Sequence, residues 1–255
     1  MQTTATILSN APLQGDYHIL DLALSFEVNT IIPGQFVHLQ IPGLDGRLLR
    51  RPFSIFECTA NGIRILYKVV GAGTEHLATL LPQTKLDLLG PLGNGFSPLP
   101  SDSLLVAGGY GCAPLFELAK HFHPCAILIG GRSSGDILLK KEYENVGCPV
   151  HVSTDDGSEG LRGRVTELLE EYLQKHPVRW IASCGPLPML RALSQVMEQH
   201  QISGEISLDS AMCCGVGACF SCVTKIKDAS SPDGWSYKRI CHDGPIFPAA
   251  AICWN

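Results

Sequence analysis

Four cysteines constrain this chain more than any other feature: Cys214, Cys219, Cys222 and, after 18 intervening residues, Cys241. Thiolates brought to one point from a single short stretch force the backbone to coil tightly. The stretch from Met212 to Cys222 reads Met-Cys-Cys-Gly-Val-Gly-Ala-Cys-Phe-Ser-Cys. Gly215 and Gly217 in it supply left-handed or crowded conformations that other residues resist. The spacing C-x4-C-x2-C with a later fourth cysteine is that of a plant-type [2Fe–2S] cluster, which predicts Cys214, Cys219, Cys222 and Cys241 as metal ligands. A structural zinc site usually offers two short knuckles, and here only Cys219 and Cys222 make one. A Rieske centre needs two histidines, and His242 alone lies nearby in sequence. Cys213 would stretch the spacing to C-x5-C and reads as a spare thiol. A zinc-stabilised, non-enzymatic nucleotide-binding module is the alternative from another functional class.

The 255 residues suffice for about two domains and a small third. With 45% hydrophobic and 17% charged residues, the chain can build sizeable cores and is not of disordered composition. The net charge of −5 and the lack of a basic run argue against a nucleic-acid partner. Apolar runs are too short to cross a bilayer. The start, Met-Gln-Thr-Thr-Ala, lacks the basic-then-apolar layout of a signal peptide. Eleven cysteines with no such signal lead us to expect a reducing, cytoplasmic setting rather than a disulfide framework. The cysteines at 58, 112, 125, 148, 184, 213 and 253 lie outside the proposed cluster, and most are expected to be small buried apolar residues.

The first hundred residues read as β-rich, with strands over 4–8, 18–24, 35–40, 63–70 and 85–89 and one short helix over 74–81 stopped by Pro82. This predicts an antiparallel β-barrel domain over 1–98. A turn-rich joint, Gly90 to Pro100, follows. Strands over 103–107, 126–130, 150–153 and 180–183 then alternate with helices over 114–121, 163–174 and 186–199, which predicts a doubly wound parallel-sheet α/β domain over 99–203. The cysteine segment, 204–255, forms the remainder, with a flexible tip at Ala229–Gly234.

The α/β part opens Leu-Leu-Val-Ala-Gly-Gly-Tyr-Gly-Cys-Ala-Pro-Leu115, a strand running into Gly109 and Gly111, with Pro114 expected to begin a helix. Such glycines let a dinucleotide's pyrophosphate approach the backbone and the helix N-terminus. The pattern ends in proline rather than a third glycine, and plain strand–helix turn glycines are the alternative. Cys184, in Ser-Cys-Gly-Pro186, ends a strand at the sheet edge where ligands bind in this architecture; a thiol packing the strand end is the alternative. In the β-rich part, Arg51 offers a planar fork for phosphate, Phe53 a flat apolar face and Ser54 a small donor. Leu66-Tyr67-Lys68 adds another aromatic and another cation, and the run Gly71-Ala-Gly73-Thr74 leads to a short helix whose N-terminus is a second anion site; an ordinary surface charge for Arg51 and strand packing for Tyr67 are the alternatives.

Taken in order, R-P-F-S, L-Y-K, G-x-G-T, G-P-L-G-N-G-F, G-G-x-G-x-x-P and C-G-P resemble the ferredoxin–NADP reductase superfamily. With the runs Met212–Cys222 and Cys241–Phe247, the chain resembles the electron-transfer subunits of class 1B dihydroorotate dehydrogenases over essentially its whole length. The resemblance implies FAD held by Arg51, Pro52, Phe53, Ser54, Leu66, Tyr67, Lys68, Gly73 and Thr74, with Ser54 near the flavin ring and Arg51 on the pyrophosphate. It implies NAD(H) as co-substrate against Gly109, Gly111 and Cys184, and the cluster on Cys214, Cys219, Cys222 and Cys241. It further implies an FMN-containing dihydroorotate dehydrogenase partner subunit, in a heterotetramer of two of each, serving pyrimidine biosynthesis. A flavin belongs between nicotinamide and cluster, because it accepts a hydride and releases single electrons. A related NAD(P)H-dependent subunit feeding a hydrogenase, another reductase or a ferredoxin is the alternative. Arg132 after the second α/β strand leans toward NADP by residue chemistry, whereas the resemblance implies NADH. Val216, Phe220 and Ile246-Phe247-Pro248 are expected to be apolar residues at a partner surface or in a private core around the cluster.

Overall fold

The computed structural model describes residues 1–25, 28–44 and 49–254. Seven strands build the first sheet: β1 (Gln2–Gln14), β2 (Tyr17–Ala23), β3 (Phe36–Gln40), β4 (Arg51–Ser54), β5 (Glu57–Thr59), β6 (Gly62–Lys68) and, after helix α1 (Ala72–Thr79), β7 (Lys85–Leu92). Their order is β4-β3-β7-β1-β2-β6-β5, antiparallel throughout. β4 and β5 lie at opposite edges of this sheet, yet two residues join them in sequence. The sheet must therefore roll up until its edges meet, which makes the expected barrel. Its interior is apolar, with Ile7, Leu20, Leu39, Ile65, Leu77 and Leu88 each fully buried. β4 and β5 were not apparent in the sequence, because Pro52 and a three-residue length hide the alternation.

The second sheet holds β8 (Ser103–Gly108), β9 (Ala126–Gly131), β10 (Val150–Thr154), β11 (Leu161–Arg162), β12 (Trp180–Cys184), β13 (Ser203–Ser207) and β16 (Ile246–Pro248), in the order β11-β10-β9-β8-β12-β13-β16. All pairs are parallel except the edge strand β16. Helices α2 (Phe116–Phe122), α3 (Lys140–Asn145), α4 (Val165–Leu173) and α5 (Leu187–Gln199) cover the faces. The chain leaves β8 toward β9 on one side and returns to β12 on the other. That reversal opens a crevice at the C-terminal ends of β8 and β12. Two sequence expectations change here. Pro114 does not begin a helix: a 3-10 turn already runs from Gly109 to Leu115, and α2 continues it. The expected boundary at 203/204 falls inside β13, because residues 203–207 and 246–248 join the parallel sheet.

The remaining elements are the hairpin β14 (Val223–Lys227) and β15 (Trp235–Arg239), and the short helix α6 (Ile240–Asp243) that carries Cys241. The expected flexible tip is a tied hairpin turn, in which Asp228 Oδ1 accepts from the Ser230 amide at 3.0 Å and its hydroxyl at 2.6 Å. Of the seven cysteines outside the proposed cluster, only 112, 148 and 184 are buried; 125 and 213 are exposed. Among the described residues no helix is long and apolar enough to cross a membrane.

Barrel and α/β sheet share an apolar seam in which Tyr17, Phe56 and Leu66 pack with Leu105, Ala107 and Phe116. A polar clasp closes its rim. Tyr17 Oη donates to Asp136 Oδ1 at 2.7 Å, and Lys68 Nζ lies 3.2 Å from that phenol and 3.6 Å from the same carboxylate. Burial would raise the Asp136 carboxyl, but the Tyr17 hydrogen bond with Lys68 and Arg132 outweighs it, and the group sits below the usual range.

Candidate functional site

Barrel, sheet and cysteine segment meet at a cleft of about 240 Å³. The barrel supplies Arg51, Pro52, Phe53, Ser54, Leu66, Tyr67, Lys68 and Thr74 to its wall, all anticipated from sequence. Strand register puts them there. β3 and β4 pair Phe36 with Ser54 and His38 with Pro52, and the two-residue period turns Val37 and Leu39 into the barrel. Tyr67 is fixed by donating its hydroxyl to Asn10 Oδ1 at 2.9 Å and by an edge-to-face contact with Phe53. The Ser54 hydroxyl makes no hydrogen bond to any described residue.

Arg51 crosses the start of α1. A Cβ on Gly73 would stand 2.7 Å from Arg51 Nε, so only glycine lets the guanidinium lie over this helix end. Gly73 thus supports the wall without lining it. Thr74 Oγ1 accepts from the amide of Val70 at 2.9 Å and donates to the Gly71 carbonyl at 3.0 Å, holding the first turn. A guanidinium fork and a helix N-terminus aimed at one spot suit a pyrophosphate. Lys68 reaches the wall, but its ammonium is engaged by the Tyr17–Asp136 clasp.

From the sheet come Tyr110, Ala113, Pro114, Cys184, Ser207 and Asp209. Gly109 and Gly111, expected against the nucleotide, do not line the cleft. Gly109 takes a left-handed φ of +53°. A Cβ on Gly111 would stand 2.3 Å from the Cys184 carbonyl oxygen, so this glycine lets the β8 and β12 turns meet. Burial, then Asp209, pushes the Cys184 thiol up to about 12. Crowding by the cleft wall raises the Asp209 carboxyl although the residue keeps contact with solvent, and the nearby Tyr110 hydroxyl partly offsets the rise. Asp209 was missed because β13, which positions it, shows no clear strand pattern in sequence. Arg132 is largely exposed, its Nε 3.4 Å from Asp136 Oδ2.

Met212 and Pro245 complete the wall, and each belongs to a cysteine-bearing run. Met212 lies two residues before Cys214, and Pro245 four after Cys241. Among the described residues no three His, Cys, Asp or Glu side chains gather as around a single ion. Cys219 lies beside Cys214 and Cys213, and Cys241 beside Cys222 with Cys214 in reach, so the four expected ligand sulfurs share one neighbourhood. Backbone amides already face the sulfurs: Ala218 N to Cys214 Sγ at 3.3 Å, Gly217 N to Cys241 Sγ at 3.2 Å and Cys241 N to Cys222 Sγ at 3.4 Å. Gly215 and Gly217 have φ of +71° and +79°, which lets the amides point inward. The donor set and its amides fit a [2Fe–2S] cluster. Cys213 is exposed and lies against Cys219.

Around the loop, Phe220 is 61% exposed and Val216 46%, whereas Ile246 and Phe247 are buried in β16 and belong to the core, not to a surface. One residue the sequence gave no reason to single out also meets this loop. His38 is fully buried, with both ring nitrogens lacking a hydrogen-bond partner, against Gly215. Burial, then Arg50, lowers its ring to about 4.

Residues 209–253 match the family described as the iron-sulfur cluster binding domain of dihydroorotate dehydrogenase B, and residues 105–195 match the oxidoreductase NAD-binding domain. The chain is 38% identical to the dihydroorotate dehydrogenase B (NAD(+)) electron transfer subunit of Desulforamulus reducens, covering 88% of this chain and 87% of that protein. It is 36% identical to the Fusobacterium nucleatum subunit of the same name, covering 97% and 96%. In fold it is similar to an NADH-dependent reduced ferredoxin-NADP oxidoreductase chain, with a TM-score of 0.85 at 24% identity over 98% of this chain and 90% of that one. It is also similar to the cytochrome b5 reductase domain of Ulva prolifera nitrate reductase, with a TM-score of 0.64 at 16% identity over 79% and 94%. With four cysteines gathered beside the cleft and this sequence likeness over most of its length, the chain belongs to the family of dihydroorotate dehydrogenase B electron transfer subunits.

Proposed function

We propose that this chain oxidises NADH at FAD and passes the electrons through a [2Fe–2S] cluster to the FMN of a separate dihydroorotate dehydrogenase subunit, in a cytoplasmic assembly of two of each. The observation that carries it is the shared wall: Met212 and Pro245, from the two cysteine-bearing runs, line the same cleft as Arg51, Ser54 and Cys184. Donor, relay and exit sites are thus adjacent in one chain. When bound, the flavin accepts a hydride and releases single electrons.

The chain's own residues hold and orient. Arg51 and the amides opening α1, with Gly73 beneath them, take the pyrophosphate. Pro52, Phe53, Leu66 and Tyr67 exclude water from one side of the ring system, and Ser54 offers its free hydroxyl to it. Thr74 keeps the helix turn in place, and Lys68 ties the flavin wall to the α/β sheet. Cys184, protonated and nearly buried, walls the nicotinamide side, and Gly109 and Gly111 shape the turn beneath it. Cys214, Cys219, Cys222 and Cys241 would hold the cluster through their thiolates. Exposed Phe220 and Val216 mark the exit toward the partner subunit.

Purified anaerobically, the chain should show flavin absorption with a long-wavelength cluster shoulder, and contain iron and acid-labile sulfide. NADH should bleach both bands faster than NADPH. A colourless, zinc-containing chain overturns the proposal.

A further inference from the structure

Neither the flavin wall nor the four cysteines accounts for His38. The residue sits on β3 opposite Pro52 of the cleft wall, on the strand side that faces away from the barrel interior. It has no solvent exposure, and neither ring nitrogen has a hydrogen-bond partner. An imidazole carries at least one N–H in every protonation state, and a buried donor without an acceptor is destabilising. The charged neighbours on its own side, Arg50 and Arg51, are donors and cannot accept. On the other side lies the cysteine loop. A Cβ on Gly215 would stand 2.4 Å from His38 Nδ1, so glycine is required for the ring to come this close. The Cys214 main chain faces the ring closely enough to favour its protonated form, but its geometry falls short of a well-formed hydrogen bond. His38 does not line the flavin cleft. The missing partner therefore lies on the cysteine-loop side, where the candidate acceptors are the Cys214 carbonyl and the sulfur of a bound cluster.

We propose that His38 is a positioning residue of the iron–sulfur centre, its ring N–H donating to a sulfur on the Cys214 side of the cluster. The bond pins the loop to the barrel. It also strengthens as negative charge grows on sulfur, so it raises the cluster's reduction potential. The inference rests on the cluster proposed above.

The test uses the full chain with FAD and cluster in place, titrated anaerobically while the cluster is followed by EPR and the flavin by visible absorption. His38→Leu should shift the cluster potential to more negative values and leave the flavin potential where it was. His38→Gln, which keeps an N–H donor, should return it toward wild type. In chain labelled with 15N-histidine, pulsed EPR of the reduced cluster should show a weak nitrogen coupling that His38→Gln abolishes. This last measurement decides alone if the leucine variant loses its cluster. An unmoved cluster potential in iron-replete His38→Leu overturns the inference, as does a coupling that persists in His38→Gln and so belongs to His242. Wild-type chain without iron and sulfide sinks the cluster reading as well, which distinguishes the two failures.

Discussion

The two sides of the cleft are built by different means. The barrel side is strand register: β3 against β4 and β2 against β6 place Ser54, Leu66 and Tyr67 by main-chain pairing alone. The cysteine side, from Asp209 to Ser221, has no helix or strand. It is held by left-handed glycines and by amides pointed at sulfur. A wall made of paired strands exists before any cofactor arrives. A loop whose amides aim at thiolates gains most of its order from what the thiolates bind. Substitutions on the two sides should therefore fail differently.

The largest effect separates them outright. Cys219→Ser should abolish the cluster and reduction of the partner subunit, while NADH-to-dye activity through the flavin partly survives. Iron and sulfide assay beside the two activities checks this, and equal loss of both activities would make the cluster a structural element instead. On the barrel side, Arg51→Ala removes a charge-assisted hydrogen bond to phosphate, in the range of about 1.5–3 kcal/mol. FAD should bind roughly 10- to 100-fold more weakly, with iron content unchanged, by flavin fluorescence titration.

Between the two lies the clasp. Asp136→Asn should cost about 1–3 kcal/mol in urea unfolding near neutral pH, since it weakens hydrogen bonds to a charged group. The Asp136 carboxyl is depressed in the folded chain, so its contribution is present above the ordinary value of 3.8 and is lost as pH falls through the folded value. The gap between wild type and variant should close in acid, below about pH 4. The smallest effect is expected at Cys213→Ser. That exposed thiol touches Cys219 without belonging to the expected ligand set, and the visible spectrum of the loaded chain should not change.

Much of this was legible beforehand because the signals are local. The barrel and the alternating α/β domain follow from short-range patterns, and eight of the nine anticipated flavin-site residues do line the cleft. The exception, Gly73, acts from behind, through its contact with Arg51. Other readings needed the fold where the decisive partner is distant. Gly109 and Gly111 read as phosphate-contact glycines, and the fold adds a second reason for Gly111, since Cys184, 73 positions away, packs on it. Ile246 and Phe247 read as partner surface or core, and β16 decides for the core by adding them to the sheet. Asp209 and Tyr110 gave no signal, since their approach needs the ends of β8 and β13 brought to one edge of the sheet on either side of β12.

By itself the amino-acid order determined the family, the barrel-then-α/β succession and the cysteine spacing on which the proposed ligand set rests. Each of these is a matter of spacing or residue chemistry within a few tens of positions. Only the folded chain decided that the cysteine runs border the flavin cleft, that Lys68 and Asp136 lock barrel to sheet, and that a buried imidazole from β3 faces Gly215. Those facts join segments more than a hundred residues apart, or, for Lys68 and Asp136, about 70 apart. Local pattern holds no information about such contacts, because what creates them is the rolling of one sheet and the reversal of strand order in the other.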